Sequence, residues 1–225
     1  MKDGPNIVGI AALIGDRARA DILTALLGGQ ALTATELAGV ADVGKATVSA
    51  HLARLVDGQL VTVESQGRHR YFRLADDDVA QLLESIMGIA YRTGALRLKS
   101  SPREPALRKA RVCYDHLAGD LGVFAFERLE RRRSFCHVDG ALRLTPGGEH
   151  FLSELGVDIE SRRGSRRPEC RLCLDWSERR HHLAGTVGAA LLERIYDLGW
   201  ARREKGTRVV RFTAAGERAF RERLE

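Results

Sequence analysis

Residues 33–58 read TATELAGVADVGKATVSAHLARLVDG. Thr33 and Glu36 form a capping box, in which a threonine oxygen and a glutamate reciprocally satisfy free amides at a helix start. The helix they open is short, running through Leu37 and Ala38, and a turn around Ala41 to Gly44 follows it. A second helix is predicted from Lys45 to Asp57, with Val48, Leu52, Leu55 and Val56 on one face and Gly58 at its end. Two short helices around a tight turn make a helix-turn-helix, whose second helix must present small or polar residues outward to reach the major groove. Lys45, Ala46, Thr47, Ser49 and Ala50 are left for DNA. Lysine suits a phosphate or guanine, the hydroxyls suit phosphates or base edges, and alanine can touch a thymine methyl. Arg54, further along, is placed for the phosphate backbone. His51 reads equally as a packing, capping or base-contacting residue.

Working outward, Asp16 can cap a helix reaching about Leu27, with Ile22, Leu23, Leu26 and Leu27 as its apolar stripe and Gly28-Gly29 as its stop. Downstream, Leu60 to Val63 and Arg70 to Leu74 read as a hairpin around Gln66-Gly67. Its tip, Gly67-Arg68-His69-Arg70, reads as a basic wing for a flanking phosphate or minor groove, or as a solvated turn. Asp76 then caps a helix to about Thr93, with apolar positions at Val79, Leu82, Leu83, Ile86, Met87 and Ala90. Leu82, Leu83, Ile86 and Met87 form a seam suited to a dimer interface, with the helix carrying Ile7, Ile10 and Leu13 as its partner.

These segments together resemble the ArsR/SmtB family of bacterial repressors. The resemblance is carried by Leu13-Ile14-Gly15-Asp16-Arg17-Ala18-Arg19, Thr35-Glu36-Leu37-Ala38, Thr47-Val48-Ser49-Ala50-His51-Leu52-Ala53-Arg54-Leu55, Gly58-Gln59-Leu60-Val61 and Gly67-Arg68-His69-Arg70-Tyr71-Phe72-Arg73-Leu74. It covers roughly residues 5–95. It implies a winged helix-turn-helix homodimer that binds an imperfect palindrome in double-stranded DNA and is released by an inducer. The familiar metal-sensing positions are not matched: Thr33 to Ala41 has no cysteine, and Asp76 to Thr93 has no histidine.

Composition fits a DNA-binding reading. The 225 residues carry a net charge of +6, with 44% hydrophobic and 29% charged residues, so the chain can bury a core and suits an anionic partner. No apolar run approaches the roughly 20 residues that span a bilayer. Met1 to Leu13 lacks the pattern of a signal peptide. A cytoplasmic protein without a membrane partner is expected, with thiols or metal ligands in place of disulfides.

The expected organisation is a DNA-binding and dimerisation domain at 1–95, a linker at 96–105, and a C-terminal domain at 106–225. The fold class is mainly α with small β-hairpins (α+β). The C-terminal domain contains a degenerate repeat, about 112–156 and 178–225. His116-Leu117-Ala118-Gly119 recurs as His182-Leu183-Ala184-Gly185, Glu127-Arg128-Leu129 as Glu193-Arg194-Ile195, and Thr145 with Gly148-Glu149 as Thr213 with Gly216-Glu217. Each copy reads as helix, short hairpin, helix, a duplicated winged-helix-like unit.

The four cysteines lie in this domain. Cys113 and His116 are three apart, as on one helical face, and so are Cys170 and Cys173. The repeat can bring Cys113, His116, Cys170, Cys173 and His182 together as a sensing site for zinc or another thiophilic metal. Arg111, Arg171 and Arg179 nearby would lower the thiol pKa and favour redox reactivity. Cysteine is also a small buried hydrophobe, and a histidine at a helix start can bond the backbone, so core packing stays open. Cys136-His137 is left unassigned.

The leading function is a dimeric transcriptional repressor released by a metal, an oxidant or a small molecule. The alternatives are an inducer-independent architectural DNA-binding protein and a thiol redox enzyme. For the enzyme, the sequence offers no βαβ pattern, no base-plus-acid constellation and no phosphate-binding glycine fingerprint.

Overall fold

The computed structural model describes residues 4–67, 69–95, 104–162 and 167–225. Two compact units meet within one helix, the first ending at Leu83 and the second beginning at Glu84. The break falls inside the segment expected as a single domain at 1–95. Residues 96–103 of the expected linker lie outside the described residues, and Glu104 and Pro105 open a helix.

The first unit begins with α1 (Ile7–Ile14) and α2 (Arg17–Leu26). Asp16 caps α2 by accepting from the backbone amide of Arg19 at 2.9 Å. The buried Arg19 side chain turns back to α1, donating from Nε to the Leu13 carbonyl at 2.6 Å and from Nη2 to the Ala12 carbonyl at 2.7 Å. It thereby satisfies carbonyls that a helix C-terminus leaves free. β1 (Leu32–Thr33), α3 (Ala34–Ala41) and α4 (Lys45–Asp57) follow, with the Thr33–Glu36 capping box formed as expected. Asp42 makes the tight turn between α3 and α4 in the left-handed region, at φ 53°. β2 (Val61–Gln66) and β3 (His69–Leu74) form the wing, and β1 adds to β3, giving the antiparallel order β1-β3-β2. Ile22, Leu23 and Leu26 from α2 and Leu27 at its C-cap, Leu37 from α3, Val48, Leu52 and Leu55 from α4, and Phe72 and Leu74 from β3 are buried. The helix α5 (Asp77–Arg92) contributes residues to both units. No helix among the described residues is long and apolar enough to cross a membrane.

The second unit opens with α6 (Glu104–Lys109) and then runs twice through the same series. The first copy is β4 (Arg111–Cys113), β5 (His116–Ala118), α7 (Asp120–Arg131), β6 (Phe135–Val138), β7 (Ala141–Leu144) and α8 (Pro146–Glu154). A 3-10 turn (Glu160–Arg162) follows it. The second copy is β8 (Arg171–Leu174), β9 (His181–Ala184), α9 (Gly185–Asp197), β10 (Ala201–Arg203), β11 (Val210–Phe212) and α10 (Ala214–Leu224). Each copy is therefore hairpin, helix, hairpin, helix. The leading hairpin was not expected, and the second copy begins before residue 178.

This corrects the reading of the histidines. His116 and His182 lie on strands, not at the start of helices. The three-residue spacing from Cys113 to His116 is not a helical face: the two are cross-strand partners around a two-residue turn, with Tyr114 at φ 60°. The helices start only after Gly119 and at Gly185, both at φ 85°, where the chain must leave the strand through a conformation that glycine adopts freely.

The two copies interlock. The leading strands β5 and β9 lie beside each other, and α7 packs on β9 while α9 packs on β5. Gly122 and Gly188 hold equivalent positions in this crossing: a Cβ on Gly122 would sit 2.5 Å from the Leu117 carbonyl and 3.6 Å from Cβ of His182. On Gly188 it would sit 2.5 Å from the Leu183 carbonyl and 3.3 Å from Cβ of His116. Leu121 and Leu129 of the first copy share one core with Leu183, Val187 and Leu191 of the second. Thr145 and Thr213 cap α8 and α10 by accepting from the amides of Gly148 and Gly216, which accounts for that recurrent signature.

Gly122→Ala is expected to destabilise the second unit by about 1–3 kcal/mol, because the clash is with backbone. Gly39→Ala, on an exposed position of α3 with open space around it, should be neutral or stabilising by up to about 1 kcal/mol. Urea denaturation of the two variants checks this, and equal midpoints would remove the claim of close approach.

Candidate DNA interface and candidate metal centre

Helix α4 is anchored by the buried Val48, Leu52 and Leu55. That fixes its other face outward, and Lys45, Ala46, Thr47, Ser49, Ala50 and Arg54 are all exposed. The Ser49 hydroxyl donates to the Lys45 carbonyl at 2.9 Å, which leaves its oxygen as an acceptor. His51 is half-buried, with Nδ1 3.4 Å from Nη1 of Arg19 and 3.7 Å from Oδ1 of Asp16. Its ring lies between α4 and the start of α2. In the wing, Gln66 pairs with His69 across the tip, and Gly67 takes φ 59°. His69 and Arg70 are exposed, with the Arg70 guanidinium 5.5 Å from the Phe72 ring centre. Arg68 lies outside the described residues.

The seam residues of α5 separate. Leu82 and Ile86 are exposed together with Ile89, whereas Leu83 is buried and Met87 is half-buried, its sulfur 3.9 Å from Nη2 of Arg208. Ile7 and Val8 of α1 are 77% and 74% exposed.

In the second unit, Cys113, His116, Cys173 and His182 converge, with one potential ligand atom from each lying within 4.8 Å of the others. Cys113 faces His116 across β4–β5, and Cys173 faces His182 across β8–β9. Directly opposed residues of an antiparallel pair point to the same side, so each hairpin offers one thiol and one imidazole. The two sulfurs are 3.8 Å apart and the two Nε2 atoms 3.1 Å apart. All four cysteines of the chain are free thiols. Cys170 does not join the group: it is buried in the main apolar core, where burial and the charge of Glu169 push its thiol up to about 12. The helical spacing assumed for Cys170 and Cys173 fails because Cys173 belongs to β8 and Cys170 precedes it.

Carboxylates stand behind both imidazoles. Nδ1 of His116 is 3.3 Å from Oδ1 of Asp115. Nδ1 of His182 is 3.3 Å from Oδ2 of Asp175, off the line of a hydrogen bond. Asp175 is fully buried and accepts from Nη2 of Arg111 at 3.0 Å, the Gly119 amide at 2.7 Å, the Ser177 hydroxyl at 2.8 Å and the amides of Ser177 and Glu178. Burial alone would raise its pKa, but His182, Arg111 and the Gly119 amide hold it far below the usual carboxylate range. The expected lowering of thiol pKa by arginine does not occur at Cys113. Its hydrogen bond with Cys173 and its burial push that thiol well up, and the Arg111 guanidinium is committed to Asp175 and the Trp176 ring, 4.5 Å from its centre. On α5, Glu84 is buried and accepts from Nη1 of Arg208 at 2.9 Å. Burial works against its charge, and Arg208 and Arg111 outweigh it, lowering its pKa.

Two features escaped the sequence reading. Glu84 and Arg208 carry no motif. The paired hairpins had one: Arg111-Val112-Cys113-Tyr114-Asp115 recurs as Arg171-Leu172-Cys173-Leu174-Asp175. The longer loop between Asp175 and His182 in the second copy hid that match. Cys136 and His137 lie on β6 opposite Arg143 and Leu142, outside the cluster.

Residues 14–64 match a family described as a helix-turn-helix domain. The chain is 42% identical over 220 residues, 98% of its own length and 97% of the relative's, to a protein named uncharacterized HTH-type transcriptional regulator YdfF of Bacillus subtilis strain 168. Among solved structures it is similar to HlyU from Vibrio cholerae N16961, at 22% identity and a TM-score of 0.34, over 37% of this chain and 89% of that one. It is also similar to the homodimeric winged helix-turn-helix domain of Mb0332 from Mycobacterium bovis, titled a possible ArsR-family transcriptional regulator, at 22% identity and a TM-score of 0.36, over 45% of this chain and 98% of that one. With a relative matched along nearly its whole length, and with the helix-turn-helix, wing and caps in place, the chain belongs to the HTH-type transcriptional regulators, its N-terminal part being a winged helix-turn-helix.

Proposed function

We propose that this regulator is a homodimeric repressor that binds an inverted-repeat operator through α4 and the wing, and that an inducer acting on the second unit releases it. The observation that carries the DNA reading is the division of α4. One face is locked into the core by Val48, Leu52 and Leu55, and the other offers Lys45, Ala46, Thr47, Ser49 and Ala50 with no bulky side chain among them. Small residues let the helix backbone approach the major groove, and Lys45 with Arg70 on the wing adds phosphate affinity. The net charge of +6 favours the same partner.

Dimerisation is supported by the exposed apolar residues Leu82, Ile86 and Ile89 on α5 and Ile7 and Val8 on α1. A second copy of the chain covers them in this reading. A two-fold dimer presents two recognition helices to half-sites about one helical turn apart, which requires a palindromic operator. The inducer reading is supported by α5, one helix that supplies residues to both units. An inducer must bind the DNA-incompetent state more tightly, since equal affinity for both states shifts nothing.

Footprinting on the DNA flanking the encoding gene tests the function directly. Protection of an inverted repeat overlapping a promoter supports it, and protection without sequence preference favours an architectural role. Lys45→Ala is expected to lower the slope of log affinity against log salt by about one, as loss of a single phosphate contact does. Thr47→Ala should cost about 1–3 kcal/mol at one position of the site. Unchanged binding by either variant removes that residue from the interface.

For the dimer, Leu82→Glu combined with Ile86→Glu should yield a folded monomer in sedimentation, because charge enters an apolar interface. Leu83 and Met87 are poor test positions, since both already pack within the chain. An intact dimer in the double variant would move the interface elsewhere.

A further inference from the structure

We propose that Cys113, His116, Cys173 and His182 hold one resident zinc ion in a closed tetrahedral site that staples the two copies of the repeat together. The site lies in the second unit, and the proposal stands independently of the DNA-binding reading.

The donor set and its dimensions fit. A tetrahedral zinc with Zn–S of about 2.3 Å and Zn–N of about 2.0–2.1 Å places two sulfurs about 3.8 Å apart and two nitrogens about 3.3 Å apart. The observed separations are 3.8 Å between sulfurs and 3.1 Å between Nε2 atoms. Two thiolates and two imidazoles select a thiophilic ion, and the match of the sulfur–sulfur and nitrogen–nitrogen separations to a tetrahedral site favours zinc. Protein supplies all four positions and all four residues are buried, which marks a structural rather than a catalytic centre.

The surroundings are those of a metal site. Metal-bound histidine characteristically gives its other ring nitrogen to a carboxylate, which fixes the tautomer and aims the free nitrogen at the ion. Asp115 stands at 3.3 Å from Nδ1 of His116, and Asp175 at 3.3 Å from Nδ1 of His182, so both Nε2 atoms face the centre.

Charge supplies the second argument. Each buried or half-buried carboxylate around the site already has its own guanidinium: Asp175 has Arg111 at 3.0 Å, Asp115 has Arg167 at 2.5 Å, and Glu84 has Arg208 at 2.9 Å. These charges cancel in pairs. With those carboxylates neutralised, a dication that displaces the two thiol protons is balanced by the two thiolates it creates, beside the buried Ala118 and Ala184.

The consequence is mechanical. One thiolate and one imidazole come from β4–β5 and the other two from β8–β9, so the ion joins strands far apart in sequence. The ligand hairpin also meets the loop between β10 and β11 that carries Arg208: the Val112 amide, next to Cys113, donates to the Arg208 carbonyl at 2.8 Å, and Arg208 holds Glu84 of α5. Loss of the ion should therefore loosen the pairing of both repeats and the seat of the C-terminal half of α5.

The test uses the full chain purified in reductant without added metal. About one zinc per chain is expected by elemental analysis. After removal by chelator, Co2+ should give the intense visible bands of four-coordinate cobalt together with thiolate charge transfer. Those signals should vanish in Cys173→Ser and persist in Cys170→Ser. Asp115→Asn, at a half-buried position, should leave the fold intact and weaken Co2+ affinity by about 10- to 100-fold. Should Cys173→Ser fail to fold, the cobalt spectrum of the native sequence and the Asp115→Asn affinity decide. A folded protein without zinc whose Co2+ spectrum stays six-coordinate would overturn the proposal.

Discussion

A carboxylate with no exposed surface organises the second unit. Asp175 sits in the second copy of the repeat, yet two of its donors, the Arg111 guanidinium and the Gly119 amide, come from the first. A buried charge is tolerable only when paired and fully hydrogen-bonded, and removing one partner typically costs about 3–5 kcal/mol. This requirement fixes the first hairpin against the second more tightly than apolar packing alone. It also ties down the N-cap of α7, because the Gly119 amide donates to Asp175 immediately before that helix. In the same interlock Gly122 lies over β9 and Gly188 over β5, and His116 and His182 stand face to face.

The first unit was legible almost residue by residue, because its signals are local. Asp16 and Thr33 cap helices through contacts three residues away, and the apolar spacing of α4 assigns its faces without any knowledge of the tertiary fold. The second unit was legible only as a repeat. Its landmarks were right, but Cys113 and His116 were placed on a helix because three-residue spacing satisfies both a helical face and a tight hairpin. What separates the two is the glycine at φ 85° after His116-Leu117-Ala118, a feature of backbone rather than of periodicity. Cys170 was grouped with Cys173 by the same spacing, although one belongs to the core and the other to the ligand hairpin. The Glu84–Arg208 pair had no sequence signal at all, since its two residues meet only through tertiary folding.

Helix α5 shows why a sequence pattern can be right in kind and wrong in detail. Its apolar positions recur at helical spacing, and that spacing alone reads as one seam. Within the fold the seam splits into an exposed line, Leu82, Ile86 and Ile89, and an inward line containing Val79, Ala80, Leu83 and Glu84. A buried glutamate on the inward line is costly unless it is paired. Arg208 provides the pairing, so this half of the helix is held by the second unit through charge rather than by apolar contact alone.

That distinction bears on how a signal could travel. Apolar packing is non-directional and tolerates small slips, whereas an ion pair inside a low-dielectric interior has one good geometry and loses heavily outside it. The backbone bond from Val112 to Arg208 ties the same arginine to the hairpin that carries Cys113. The hairpin and Glu84 are therefore joined through two directional bonds, the route by which the proposed inducer would act. The response is closer to a switch between discrete arrangements than to a graded deformation, as packed and paired interiors generally behave. In the dimer proposed above, an operator reading the spacing of two recognition helices would need a response of that kind, because a half-site displaced by a fraction of a turn is no longer in register.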